Sequence, residues 1–246
     1  MSWYEESFGE DYLLVYRHRD NSHAEQEVHE VAKWLDLGEG TSVLDLCCGT
    51  GRHSRSLARL GCQVTGIDLS EVLLSHAQSS KEELGIRYVR GDMRELPFTD
   101  QSFDAVVNLF TSFGYFVEDE ENAKVLKEIQ RVIKPGGRFL IDFLNREAVK
   151  KNLIPQSERM DGDIRILEER WIDGDFVCKT IILTKEHGEK KVYQERVKMY
   201  SLEQMEAMID ASGLQIDRVS GDFKGSPYSK DHSQRMIFTG RVPTST

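Results

Sequence analysis

Residues 43–51 read Val43-Leu-Asp-Leu-Cys-Cys-Gly-Thr-Gly51, a short apolar strand running into a two-glycine turn, and the next apolar run, Val64-Thr-Gly-Ile67, ends at Asp68. Glycine lets a backbone come close to a bound molecule, and a carboxylate at the tip of a second strand accepts hydrogen bonds from both hydroxyls of a ribose. The pairing predicts a site for an adenosine cofactor. The plainer reading, a structural glycine turn with an incidental aspartate, does not require a second acidic strand end about 20 residues on.

Two adenosine cofactors compete for such a site. A dinucleotide fingerprint needs G-x-G-x-x-G opening a helix, so that amides and the helix dipole meet a pyrophosphate. Gly49 and Gly51 are present, but the third position is Ser54, and Asp45 stands four residues before Gly49, where a pyrophosphate would meet an uncompensated negative charge. S-adenosylmethionine carries an ammonium and a sulfonium against one carboxylate, so an anionic residue at the turn favours it. Asp45 is therefore expected to receive the ammonium, directly or through water, and Asp68 the ribose, with Gly49 and Gly51 making room.

Strand and helix signals alternate outward from this stretch. Ser22-His-Ala-Glu25 reads as a capping box, followed by Val28, Val31, Ala32 and Leu35 at helical spacing. Strands are expected near 43–46, 63–68, 86–89, 103–109 and 138–143, with helices at 52–60 and 71–83 and one carrying Val125, Leu126 and Ile129. Such alternation means a parallel sheet covered on both faces, with ligands at the carboxyl ends of its strands. Between Asp163 and Tyr200 three β-rich stretches joined at Asp173-Gly174 and around His187-Gly188 predict an antiparallel insert. Ser201-Leu-Glu-Gln204 opens another capped helix, and apolar runs follow near 214–219 and 236–239.

A chain of 246 residues holds one sizeable α/β core with a small appendage. The expected division is 1–160 with 201–246 as the core and 161–200 as the insert, a lid over substrate. A net charge of −10 argues against a nonspecific grip on nucleic acid. The N-terminus lacks a basic start and apolar core, and no apolar run approaches the roughly 20 residues of a membrane span, so a cytoplasmic location is expected. Cys47 and Cys48 are adjacent and Cys62 and Cys178 isolated, which predicts reduced thiols and no metal site.

The ordered set of motifs resembles the class I S-adenosylmethionine-dependent methyltransferases of the bacterial small-molecule type. It comprises 43–54, Thr65-Gly-Ile-Asp-Leu-Ser70, Gly91-Asp-Met-Arg-Glu-Leu-Pro97, 103–115 and Lys134-Pro-Gly-Gly137, with further likeness at 221–228 and 233–237. The resemblance implies a doubly wound, mostly parallel seven-stranded sheet of the Rossmann-like methyltransferase fold, whose last two strands form an antiparallel hairpin. It also implies that Leu69 packs on adenine, that Asp92 and Met93 meet its amine and ring face, and that backbone near Asn108 to Phe110, with Leu109 at its centre, lies beside the sulfonium. Arg19 is carried over as a partner of the methionine carboxylate. For Asp92 a simple turn role is the plainer reading.

Tyr4, Phe8, Tyr12 and Tyr16 recur every four residues, so a helix would gather their rings on one face despite Gly9. Either a lid over cofactor and acceptor, placing Tyr12 and Tyr16 at the cofactor, or an aromatic helix packed on the core satisfies this pattern. Tyr115, Asn145, Arg146, Trp171 and Arg235 are candidate substrate residues because they follow strand ends, match the family's segments or sit on the insert. No general base is identified; His53 and His232 are candidates by residue type only. The motifs of base-directed enzymes are missing: no proline precedes a cysteine, and Asn108 is followed by Leu-Phe-Thr. The expected function is methyl transfer to an oxygen or nitrogen of a small molecule by direct in-line displacement. A cofactor-binding regulator without turnover, or a nicotinamide oxidoreductase, are the alternatives.

Overall fold

The computed structural model describes residues 2–16, 21–79, 82–185 and 188–244, with the side chains of 21–23 also left undescribed. The chain opens with two short helices, α1 (Trp3–Ser7) and α2 (Glu10–Val15), separated at Phe8 and Gly9, and continues into α3 (Asn21–Leu35). There follow β1 (Ser42–Leu46), α4 (Arg52–Arg59), β2 (Gln63–Asp68), α5 (Glu71–Gln78), β3 (Arg87–Arg90) and β4 (Phe103–Asn108). Next come α6 (Asp119–Val132), β5 (Ile133–Leu144) and α7 (Arg146–Asn152). The second half holds β6 (Gln156–Asp161), β7 (Ile164–Asp173), β8 (Phe176–Thr184), β9 (Lys190–Lys198), α8 (Leu202–Ala211), β10 (Gln215–Ser220) and β11 (Arg235–Arg241).

Seven strands form one sheet in the order β10-β11-β5-β4-β1-β2-β3, parallel except for β11, which runs antiparallel to both β5 and β10. The order reverses at β1 and β4, and the crevice such a reversal opens at the strands' carboxyl ends is where ligands bind in open α/β sheets. Strand β1 explains why the central strands read as continuous apolar runs. Leu44 and Leu46 pack with Val125, Leu126 and Ile129 of α6 on one face, while Val43 packs with Val28, Val31 and Leu35 of α3 on the other. A strand covered on both sides has no polar face to present.

Several local expectations shift. Helix α3 begins at Asn21, which puts Ser22 inside the helix rather than at its cap. Helix α5 stops at Gln78, short of the expected Glu83, and the hairpin signal at His187 lies outside the described residues.

The insert has four strands where three were expected, in the antiparallel order β6-β7-β8-β9. Strand β6 lacks an apolar alternation because it is an edge strand, and its polar Gln-Ser-Glu-Arg-Met-Asp sequence hides it from a hydrophobic reading. The inner face of the sheet carries Ile166, Ile181 and Leu183, which close on Val15 of α2, so the insert packs against the N-terminal helices.

Beside that apolar contact lies a buried carboxylate, Glu168, joined by Lys179 at 2.7 Å, Arg170 at 2.7 Å and Arg159 at 3.2 Å. Burial works to raise its pKa, but the hydrogen bond and charge of Lys179, with Arg170 and Arg159, pull it from the ordinary 4.5 down to about 2. A depressed folded-state pKa stabilises the fold fully above the unfolded value and progressively less as pH falls through the folded one. The stability difference between the wild type and Glu168→Gln, read from urea midpoints, should therefore be constant above about pH 5 and shrink between about 4.5 and 2.

Candidate active site

A cavity of about 450 Å3 opens at the carboxyl ends of β1, β2, β3 and β4. Its walls come from three places: the loops after those strands, the N-terminal helices, and β9 of the insert. Among the described residues no helix is long and apolar enough to cross a membrane.

The floor is built by the turn after β1 and the end of β2. Asp68 is half-buried against the turn, its Oδ2 accepting the Gly49 amide at 2.8 Å and its Oδ1 the Ser70 amide at 2.9 Å. Burial pushes its carboxyl up, opposed by these backbone hydrogen bonds. Gly49, at φ 55°, is in the left-handed region, and a Cβ added there would meet only Leu73 at 4.0 Å, so the backbone presents an open surface. Leu69, Met93 and Asp92 complete this side. Asp92 is ion-paired to Arg94 at 2.6 Å; burial raises its pKa, but the Arg94 hydrogen bonds hold it below the ordinary range.

The opposite wall is the loop after β4. Leu109, Phe110, Thr111 and Ser112 line the cavity, and Phe110 and Thr111 adopt φ of 66° and 59°, uncommon for residues bearing a Cβ. Asp142 of β5, fully buried, holds that conformation. Its Oδ2 accepts the Phe110 amide at 2.8 Å, and its carbonyl accepts the Thr111 amide at 3.1 Å. Arg235 of β11 donates from Nε to the same carboxylate and from Nη2 to the Thr111 hydroxyl at 2.7 Å.

The N-terminal helices close the top. Trp3, Tyr4, Phe8, Tyr12 and Tyr16 all line the cavity and form a chain of edge-on, tilted and stacked ring contacts that includes Tyr115, with Trp3–Tyr115 centroids 5.0 Å apart. These helices are tied down by the Ser70 hydroxyl donating to the Phe8 carbonyl at 2.6 Å, and by the Ser7 hydroxyl donating to the Gln194 carbonyl at 2.6 Å. Tyr16 donates to Glu195 of β9 at 2.7 Å. Burial pushes the Tyr115 phenol well above its ordinary pKa.

Of the residues singled out from sequence, Tyr12, Tyr16, Gly49, Asp68, Leu69, Asp92, Met93, Leu109 and Tyr115 come together here. Arg19 lies outside the described residues. Asp45 stands behind the wall, 2% exposed and accepting the Ser54 hydroxyl at 2.5 Å, and burial pushes its carboxyl up against the opposing His53 charge and Ser54 hydrogen bond. Gly51 does not line the cavity either. It is required by a local fit, since a Cβ there would fall 2.2 Å from the Tyr88 hydroxyl at a φ of 72°. Gly51→Ala should accordingly destabilise the protein by about 1–3 kcal/mol in urea denaturation.

Four candidate substrate residues are not brought to the cavity. Asn145 caps α7 and donates to the carbonyls of Lys230 and Ser233, Arg146 pairs with Asp175 at 3.0 Å, and Trp171 is 43% exposed on β7. Arg235 is committed to Asp142 and Thr111. The reading from sequence missed Trp3, Arg52, Thr111, Glu195 and Val197, and it placed Phe110 here by its backbone alone. Strand periodicity puts Tyr193, Glu195 and Val197 on one face of β9, but only the docking of the insert turns that face to the cavity.

A family profile described as a methyltransferase domain matches residues 43–137. The chain is 33% identical over 218 residues to the putative methyltransferase YqeM of Bacillus subtilis (strain 168), covering 84% of this chain and 87% of that one. It is 27% identical to the cypemycin N-terminal methyltransferase of a Streptomyces species, covering 82% and 84%. Among solved structures, the CcbJ methyltransferase from Streptomyces caelestis superposes with a TM-score of 0.82 at 20% identity, over 97% of this chain and 98% of that one.

Proposed function

Because the chain belongs to the class I S-adenosylmethionine-dependent methyltransferases, we propose that it transfers a methyl group to an oxygen or nitrogen of a small molecule. The observation that carries the site assignment is the Asp68 carboxylate, fixed by the Gly49 and Ser70 amides at the edge of a cavity whose glycine floor is open. Bound there, S-adenosylmethionine supplies a methyl group on a sulfonium, open to in-line displacement.

The residues present fit that donor. Asp68 takes the ribose hydroxyls, while Leu69 and Met93 receive adenine beside Asp92, whose carboxylate is engaged by the Arg94 amide and guanidinium. The Gly49 backbone makes room for the methionine part, and the Asp45 charge acts on its ammonium from behind the wall as a field rather than a contact. Leu109 and Phe110 backbone groups lie beside the sulfur. Tyr12 and Tyr16, with the other N-terminal rings, shield the reacting pair from water, and the insert roofs the acceptor half. The protein's task is alignment and exclusion of water, which needs no covalent nucleophile. The relative named for N-terminal methylation supports nitrogen within this range of acceptors without deciding against oxygen.

Calorimetry with S-adenosylhomocysteine, followed by transfer from labelled donor into a bacterial metabolite extract, tests this reading. Saturable binding and a labelled small-molecule product are expected. Binding of a nicotinamide dinucleotide with no response to S-adenosylhomocysteine would overturn it.

A further inference from the structure

The acceptor half of the cavity has a composition that selects among chemical groups. It is walled by the rings of Trp3, Phe8, Tyr12, Tyr16 and Tyr115, by Val197, and by a single carboxylate from the insert, Glu195. Glu195 is oriented by the Tyr16 hydroxyl, which donates to its two oxygens at 2.7 and 2.9 Å. A carboxylate has about four acceptor sites, so one hydroxyl leaves capacity for a donor arriving from the cavity. Lys179 pairs with Glu195 at 3.7 Å and covers the Tyr16 ring at 4.7 Å, but at that distance it takes none of the hydrogen-bond sites of Glu195. It is held at 2.7 Å by Glu168 and donates to the Tyr16 hydroxyl at 2.6 Å, and Arg159 and Arg170 also converge on Glu168 rather than on the cavity. Among the described residues, the carboxylates lining the cavity are Asp68, Asp92, which is paired with Arg94 at 2.6 Å, and Glu195, and the arginine lining it, Arg52, stacks on Phe110 at 4.9 Å.

From this juxtaposition we infer that the acceptor is a small amine, recognised by the Glu195 carboxylate and the surrounding aromatic faces. This rests on the methyltransferase reading and narrows its acceptor to one class. Aromatic faces attract a cation through the ring quadrupole, and a carboxylate accepts an N–H but repels a carboxylate or phosphate. The balance of the step is direct. The neutral amine nitrogen uses its lone pair to form the N–C bond as the C–S bond breaks, its electron pair remaining on sulfur. The amine binds as an ammonium and first gives one proton to water by way of Glu195, which frees that lone pair, and the methylated product leaves as an ammonium.

The test uses the whole protein loaded with S-adenosylhomocysteine, whose own binding reports on the donor pocket separately. Phenethylamine, 2-phenylethanol and 3-phenylpropanoate are titrated by calorimetry as matched probes, and each is offered to labelled donor. Phenethylamine should bind about tenfold more tightly than the alcohol, as one partly buried charge contact predicts, and should be the probe that gains label. Glu195→Gln, close in shape and still able to accept from Tyr16, should erase the preference. Glu195→Asp should keep part of it. Equal or tighter binding of the alcohol or the acid, no binding of phenethylamine, or an unchanged preference in Glu195→Gln would overturn the inference, while loss of S-adenosylhomocysteine binding in the wild type would instead overturn the donor site.

Discussion

Asp68→Ala should weaken S-adenosylhomocysteine binding by about a hundredfold, the largest effect on affinity expected from any one substitution. Each hydrogen bond between an ionised carboxylate and a ribose hydroxyl contributes about 1.5–3 kcal/mol, and every 1.4 kcal/mol is a factor of ten. The carboxylate also accepts the Gly49 and Ser70 amides, so alanine removes the contacts that shape the glycine turn as well as those to the ligand. Asp68→Asn separates the two. Its amide oxygen still accepts one backbone N–H, so melting temperature should fall less than in the alanine variant while most of the affinity loss remains. A calorimetric dissociation constant within threefold of wild type in both variants would refute the ribose assignment.

Asp142→Ala should reduce folding stability by about 3 kcal/mol, the lower end of the cost of removing one partner of a buried ion pair, because the Arg235 side chain keeps 26% exposure. Its side chain is 1% exposed and paired with Arg235, so the loss strands a guanidinium against Phe110 and Thr111. It also frees the Phe110 amide, the hydrogen bond that offsets the cost of a left-handed phenylalanine. Relaxation of that loop moves the wall beside the reacting methyl group. A drop of about tenfold in S-adenosylhomocysteine affinity should therefore accompany the lowered urea midpoint. Asp142→Asn, which keeps an acceptor for the Phe110 amide, should fall between the two. A stable Asp142→Ala protein with unaltered affinity would show that the loop holds its shape without this carboxylate.

The contrast between Asp68 and Asp142 shows where legibility ended. Asp68 follows an apolar strand after a glycine turn, and both signals are local. Asp142 stands in an apolar run, Phe139 to Leu144, and nothing nearby distinguishes a carboxylate that holds another strand's loop from one that ends in solvent. Its partners come from the loop after β4 and from β11, 32 and 93 residues away along the chain. From sequence Arg235 is a candidate for the acceptor site with a structural role as the plainer reading, because a matching segment gives a residue's neighbourhood and not the direction of its side chain. The edge strand β6 was missed for a related reason: a polar strand shows no apolar period, and only its pairing with β7 defines it.

Sequence by itself determined the alternating α/β order, the parallel sheet, the two-glycine turn with its acidic strand end, and the aromatic spacing at the N-terminus. These are written in periodicities of 2 and 3.6 residues and in the special backbone freedom of glycine, all of which act over a few positions. The tertiary structure alone decided that Asp45 and Gly51 stand behind the wall, that Asp142 and Arg235 brace the loop after β4, and that β9 turns Glu195 toward the cavity. The physical reason is that these depend on how whole elements dock. Docking is driven by burial of apolar surface, which is nondirectional, so the pattern that guarantees a core does not specify which polar side chains will meet across it.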